Sequence, residues 1–397
     1  MTVTSVDGFI ASGISGGIKT EGQLDLAYIG VDGDNPALAV GVFTSNKLCA
    51  APVVVTKKNL EESSGRIFGV IVNSGNANAA TGELGLKNAE LMCESVANTL
   101  GKGVNEFAVC STGWIGYQLP IETMCESIPL AVKSSNKDGG SIAAKAIMTT
   151  DTVEKTFFKT YDDKNGVSFS VGAIAKGAAM LQPNMATMLA FISTDAKIEL
   201  EVLQNSLSRG ASASFNKLTV DGAQSTNDTV LLMASEKTQS VDADNFESAI
   251  LECCQSLAKQ MCDDAEGSTK TVKITVNGAF NDEQGERGAR RVANCQLVKC
   301  SWFGKDPYWG RVASELGASE IDYDFSTLSI SYGNIKVLDN GVSLLEGFSV
   351  EQKSVIEEYM NGREIDLNID LGQGTGKGWI YTNDLTYGYV EENMGTS

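Results

Sequence analysis

The sequence predicts a layered protein of mixed strands and helices, α/β or α+β in class. Three observations carry this. Short apolar runs of strand length recur along the chain, segments with a helical period lie between them, and 397 residues at 42% hydrophobic and 20% charged suffice for a large core. No internal repeat, low-complexity tract or obvious linker breaks the pattern, and prolines number six.

The strand candidates, in order, are "IFGVIVNSG" (67–75), "EFAVCSTG" (106–113), "VSFSVGAIAKG" (167–177), "TMLAFISTDA" (187–196), "TVLLMAS" (229–235) and "TVKITVNGA" (271–279). Each is rich in β-branched or aromatic residues and bounded by Gly, Ser, Asn or Asp. Between them, Ala89, Met92, Cys93, Val96, Ala97 and Leu100 recur at helical spacing in 83–100, with Gly101 as a stop. Phe246, Ile250, Cys254, Leu257, Ala258 and Met261 mark a second amphipathic helix over 243–261.

Fifty acids against 31 bases leave a net charge of −19, which argues against nucleic acid or an anionic membrane as the main partner. The opening "MTVTSVDGFIASGISGGIKT" has neither a basic leader region nor a long apolar run, so the expected location is the cytoplasm, with no membrane partner. Nine cysteines, none spaced C-x-x-C and most in apolar surroundings, read as reduced and largely buried thiols. Histidine is absent altogether. Ser-His-Asp and Cys-His catalysis and H-E-x-x-H zinc sites are thereby excluded. An enzyme of this composition must draw its base from Asp, Glu, Lys, Tyr, Cys or a chain terminus.

The Gly-rich "DLGQGTGKGWIY" (370–381) fails as a phosphate loop, because Leu371 and Gly378 stand where Gly and Ser or Thr are required. Tight turns in a C-terminal hairpin are the expectation. "MCDDAEGSTK" (261–270) places Asp263, Asp264 and Glu266 in a turn that suits a substrate ammonium, a metal or plain solvation; its spacing is not that of a calcium loop. "AVCSTGWIG" (108–116) runs an apolar strand into Ser111, Thr112 and Gly113, a turn able to offer a hydroxyl and a backbone N–H to an oxyanion. "VNSGNANAATG" (72–82) is a second turn loaded with residues that tolerate positive φ.

"LQPNMATMLAF" (181–191) poses a choice. Thr187 is either the first residue of a buried strand or a nucleophile. In a chain without histidine, a hydroxyl is activated when it belongs to an N-terminal residue, whose α-amine, with a reference pKa of about 7.7–8.0, takes the proton. That requires cleavage after Ala186. Thr187 Oγ1 would attack the Ala186 carbonyl, and water would hydrolyse the resulting ester.

"GAAMLQPNMATMLAFISTDA" closely resembles the signature of the ornithine acetyltransferases, the bifunctional glutamate N-acetyltransferase family of arginine biosynthesis. "VNSGNANAATG", "CSTGWIG", "AIMTTDT", "FNKLTVDGAQSTNDT", "DAEGSTK", "LVKCSWFGKDPYWGR" and "WIYTNDLTYGYVEEN" resemble the same family in the same order, over nearly the whole chain. The resemblance implies a layered α/β sandwich like that of N-terminal-nucleophile hydrolases, with different connectivity. It implies self-cleavage into an α fragment, 1–186, and a β fragment, 187–397, intertwined in one catalytic unit and assembled as an α₂β₂ heterotetramer. Thr187 would be the nucleophile and Thr112 and Gly113 the oxyanion hole. Thr149, Lys176, Thr187, Glu266, Asn393 and Ser397 would contact substrate, with Thr396 the alternative at the tail.

The implied reaction moves acetyl from N²-acetylornithine to glutamate through an acetyl-threonine ester, without metal or organic cofactor; whether acetyl-CoA is also a co-substrate is left open. Lys176 suits an α-carboxylate and Glu266 an ammonium. Water as acceptor would make the protein an N-terminal-threonine amidohydrolase or aminopeptidase instead. An uncut chain with Thr187 in a strand would be a binding protein. Departures from the family pattern are Tyr308 for Asn, Ala223 for Asp, a bulky Trp114, and a tail after Asn393 that lacks the aromatic.

Overall fold

The structure, a computed structural model, describes residues 1–182 and 188–394. Ala186, Thr187, Thr396 and Ser397 lie outside the described residues. Among the described residues the chain forms two compact units, one of Met1–Asn216 with Ala223–Met261, the other of Lys217–Gly222 with 262–394.

Two sheets stack in the first unit. The four-stranded sheet runs Phe9–Ile14, Leu26–Val31, Gly69–Asn76, Phe107–Trp114. The six-stranded sheet runs Arg66–Ile67, Ala37–Phe43, Thr229–Ala234, Leu189–Thr194, Ser168–Lys176, Lys155–Asp162. In each sheet one pair is parallel: Gly69–Asn76 with Phe107–Trp114, at one edge of the smaller sheet, and Leu189–Thr194 with Thr229–Ala234, in the middle of the larger. These four strands are buried along nearly their whole length because both their faces are covered.

Alternation along each strand sends side chains to two cores. Val70, Val72, Ala108 and Cys110 meet Phe191, Leu231 and Met233 between the sheets. Ile71, Phe107 and Val109 point the other way, under the helices Ala51–Glu62, Gly82–Leu100 and Ile121–Ser134. Each fully buried Val, Ile or Phe contributes roughly 1.5–3 kcal/mol. Helix Gly82–Leu100 follows its predicted stripe up to Ala97 and stops where Gly101 takes φ 67, its N–H bonded to the Ala97 carbonyl; Leu100 itself is exposed. On the far face of the six-stranded sheet, Phe169 sits 6.0 Å from Phe246 of the helix Ala243–Asp263.

The bond expected to be cut lies between two paired strands. Ser168–Lys176 precedes it, Leu189–Thr194 follows it, and the two run antiparallel from Val171↔Thr194 to Lys176↔Leu189.

The second unit holds a six-stranded sheet in the order Val342–Ser343, Ile335–Asp339, Ser329–Tyr332, Glu364–Asp370, Thr271–Ala279, Gly376–Asn383. Here the expected C-terminal hairpin is corrected. Glu364–Asp370 and Gly376–Asn383 do not pair; Thr271–Ala279 lies between them, parallel to the first and antiparallel to the second. Their connection wraps the end of the inserted strand, with Leu371 N–H bonded to the Asn277 carbonyl and Gln373 and Gly374 N–H to that of Gly278. The glycines do serve a tight turn, but one that spans a strand.

Candidate active site

The strand Phe107–Trp114 leaves the core at its end. Ser111 and Thr112 are buried, Gly113 is half-buried and Trp114 is exposed. Gly113 adopts φ +131, and a Cβ there would stand 2.3 Å from the Gly75 carbonyl carbon and 2.5 Å from the Asn76 nitrogen. Only glycine lets the two strands meet this closely at the Gly75–Gly113 register point.

"VNSGNANAATG" is the scaffold that holds this turn. Asn73 accepts from the Ser111 hydroxyl at 2.6 Å and donates to the Asn76 carbonyl at 2.8 Å. The Asn76 amide donates to the carbonyls of Tyr117 and Gln118 at 3.2 Å. Ala77 N–H bonds the Trp114 carbonyl, and Gly116 N–H that of Ala79. Asn227, from the segment before Thr229–Ala234, donates to the carbonyls of Ala77 and Ser111 at 2.6 and 2.9 Å. A turn tied on so many sides is preorganised, as an oxyanion site requires.

Lys176 closes the strand Ser168–Lys176, and its ammonium is nearly wholly buried. It donates to Thr149 Oγ1 at 2.7 Å and to Thr112 Oγ1 at 3.3 Å. Asp151 Oδ2 lies 3.9 Å away. Because each threonine oxygen accepts from a cation, its own O–H is left to donate to a substrate oxygen. Asp151 also pairs with the buried Lys155 and accepts the N–H groups of Gly177 and Thr149, at 2.7 and 3.1 Å. Burial pushes the Asp151 carboxyl up, but Lys176, Lys155 and the Gly177 N–H outweigh it and hold it below the ordinary aspartate range. Two lysines share one carboxylate, so the cluster is net positive and fitted to an anion. Lys19 donates to the Met148 carbonyl at 2.6 Å, one residue before Thr149; burial lowers its pKa and Lys176 adds to that.

The second unit carries the other two described site residues. Glu266 is 6% exposed, and Asn393 donates to its Oε2 and to the Tyr389 carbonyl, both at 2.8 Å. Asp384 builds the turn around Glu266 by accepting the N–H groups of Thr269 and Lys270 at 2.9 Å. Gly267 packs against Gly388 and Tyr389, and Thr386 caps the last helix while donating to the Gly267 carbonyl at 2.6 Å. Lys299 is buried with its ammonium on the Val220 carbonyl, Thr382 Oγ1 and Asn383 Oδ1, at 2.7, 3.0 and 3.2 Å. Burial lowers its pKa to about 8. Segments read as separate motifs, "DAEGSTK", "LVKCSWFGK" and "WIYTNDLTYGYVEEN", thus form one hydrogen-bonded platform.

The family profile for ArgJ matches residues 10–395. The chain belongs to the ArgJ family. The "arginine biosynthesis bifunctional protein ArgJ" of Streptomyces coelicolor is 39% identical over 100% of both chains. That of Chlorobaculum tepidum is 41% identical over 98% of this chain and 95% of its own. Among solved structures, the ornithine acetyltransferase of Mycobacterium tuberculosis, complexed with ornithine, is 37% identical over 47% of this chain and 95% of that chain, with a TM-score of 0.40.

Of the ArgJ-type site residues expected from sequence, the structure joins Thr112, Thr149 and Lys176 through one ammonium, with Gly113 next in the chain, and separately joins Glu266 to Asn393. Thr187 and Ser397 are outside the described residues. Asp151, Lys155, Asn227 and Asp228 were not singled out. Asp151 stands in "TTDT" and Asp228 in "STNDT", but nothing local marks either as buried. Tyr308, a departure from the family pattern, is 47% exposed at the start of the helix Trp309–Gly317. No helix among the described residues is long and apolar enough to cross a membrane.

Proposed function

We propose that this protein transfers the acetyl group of N²-acetylornithine to glutamate, with Thr187 as nucleophile after self-cleavage behind Ala186. The observation that carries the reading is the buried Lys176 ammonium bridging Thr112 and Thr149. It fits two needs at once, a cation for the α-carboxylate common to both substrates and polarised hydroxyls for an acetyl oxygen.

In this reading the Thr187 amine takes the hydroxyl proton, and Oγ1 attacks the acetyl carbonyl while Thr112 and Gly113 stabilise the oxyanion. The intermediate collapses to an acetyl-threonine ester and releases ornithine, which takes the proton. Glutamate then attacks the ester through its amine and leaves as N-acetylglutamate. Glu266, steadied by Asn393, pairs with the ornithine side-chain ammonium, and Ser397, or Thr396 in its place, is the further substrate contact at the tail. No metal or organic cofactor takes part. Acetyl-CoA is the candidate second donor for the same ester, and the relatives carry the name bifunctional. The fragments 1–186 and 187–397 assemble as an α₂β₂ heterotetramer in the cytoplasm.

Acetylornithine consumption with and without glutamate tests the transfer. Consumption equally fast without glutamate would make the protein a hydrolase. The same assay with acetyl-CoA as donor tests the second activity.

A further inference from the structure

We propose that Lys19 selects the acetyl acceptor, its ammonium holding the side-chain carboxylate of glutamate. This rests on the transfer reading above and adds how the site tells its two substrates apart. Acetylornithine and glutamate share an α-carboxylate, but ornithine has a side-chain ammonium where glutamate has a second carboxylate. The acceptor therefore needs a second cation that the donor does not.

The fold brings one to the site. The Lys19 stem lies over Gly75, where a Cβ would stand 3.1 Å from Lys19 Cγ and 2.9 Å from Ile18 Cγ2, and Gly75 is the register partner of Gly113 in the oxyanion turn. The Lys19 ammonium donates to the carbonyls of Met148 and Leu24 at 2.6 and 3.1 Å. Met148 precedes Thr149, whose hydroxyl oxygen accepts from Lys176 at 2.7 Å. Lys176 and Asp151 lie near enough for their charges to act on Lys19. The two carbonyls use two of the three ammonium N–H groups, which leaves one to donate to a ligand. Lys155 is wholly enclosed beside Asp151, whereas Lys19 is only half-buried.

The loop that carries Lys19 is fixed from beneath. Asp25 is fully buried, and its carboxylate accepts the N–H groups of Gly16, Ile18 and Lys19, the last two at 2.7 and 2.8 Å. Its own N–H bonds the Ile14 carbonyl, and its carbonyl accepts from Ser74 N–H, one residue before Gly75. One buried aspartate thus closes the loop 15–19 onto the strand Gly69–Asn76. A stem packed on backbone and an ammonium held by two carbonyls have little rotamer entropy left to lose when a carboxylate arrives.

The test uses the ping-pong form of the reaction, in which kcat/KM for each substrate reports its own half. Lys19→Met keeps the stem and discards the charge. It should lower kcat/KM for glutamate about tenfold or more and leave that for acetylornithine within about threefold of wild type. Glutamine as acceptor is the control, because it matches glutamate in shape without the second charge. Wild type should prefer glutamate, Lys19→Met should lose about tenfold of that preference, and Lys19→Arg should recover part of it. A merely structural lysine would lower both kcat/KM values together or leave the preference unchanged, and either result overturns the proposal. Should Lys19→Met not fold, Lys19→Gln, which can still donate to two carbonyls, is read in its place. A wild type that takes glutamine as readily as glutamate overturns the proposal without any variant. A wild type that moves no acetyl to glutamate sinks the transfer reading itself, whereas every other outcome leaves that reading standing.

Discussion

Lys176 Nζ lies 2.7 Å from Thr149 Oγ1, and the same ammonium reaches Thr112 beside the oxyanion turn. One buried cation therefore links the end of a strand, the "TTDT" turn and the turn after Ser111. Removing it should cost binding and stability together. Lys176→Met should raise KM for acetylornithine by about tenfold or more, and a broken buried pair of this kind typically costs about 3–5 kcal/mol. Steady-state kinetics and thermal melts check both effects, and an unchanged KM would remove Lys176 from the substrate site.

The partner of that cation predicts an acid response. The Asp151 carboxyl is held below its ordinary value, so the folded state binds its proton less readily than the unfolded chain does. Its contribution is complete above the unfolded value of about 3.9 and fades as pH falls through the lower native value. Denaturant melts should show stability dropping in that window, and Asp151→Asn should flatten the drop while lowering stability at neutral pH. An equally steep drop in the variant would place the acid sensitivity elsewhere.

Gly113→Ala isolates the close approach of two strands. The added Cβ meets backbone of Gly75 and Asn76, which cannot swing aside as a side chain would, and the φ of +131 is itself strained for alanine. We expect kcat to fall about a hundredfold, the scale of losing one oxyanion donor. Near wild-type kcat would show that the turn does not shape the reaction.

Thr187→Ala should leave the chain at its full 42.0 kDa and inactive. Thr187→Ser should still cut, more slowly. Intact mass and acetyl transfer read the two outcomes, and an active, uncut chain would end the nucleophile assignment.

Glu266→Gln keeps the hydrogen bond to Asn393 but discards the charge. It should raise KM for acetylornithine about tenfold while cutting proceeds as in wild type. Loss of cutting would mean that Glu266 serves processing and not substrate.

The legible parts of this protein were those decided by neighbours in the chain. Short apolar runs rich in β-branched and aromatic residues located the strands Gly69–Asn76, Phe107–Trp114, Leu189–Thr194 and Thr271–Ala279, and a period-3.6 pattern located the helix Gly82–Leu100, because both signals are local in the chain. The absence of histidine narrowed the chemistry, since it removes a whole class of base. Other features escaped because they depend on contacts far apart in sequence. The strand Lys155–Asp162 has a mixed polar pattern and gains its place by pairing with Ser168–Lys176. The supposed terminal hairpin was split by a strand about a hundred residues upstream, which no local turn signal encodes. Asp151, Lys155 and Asp228 look like ordinary surface residues in the chain. Folding buries each one, and burial together with the partners found there makes Asp151 and Lys155 parts of one shared charge cluster and pushes the Asp228 carboxyl well above the ordinary range.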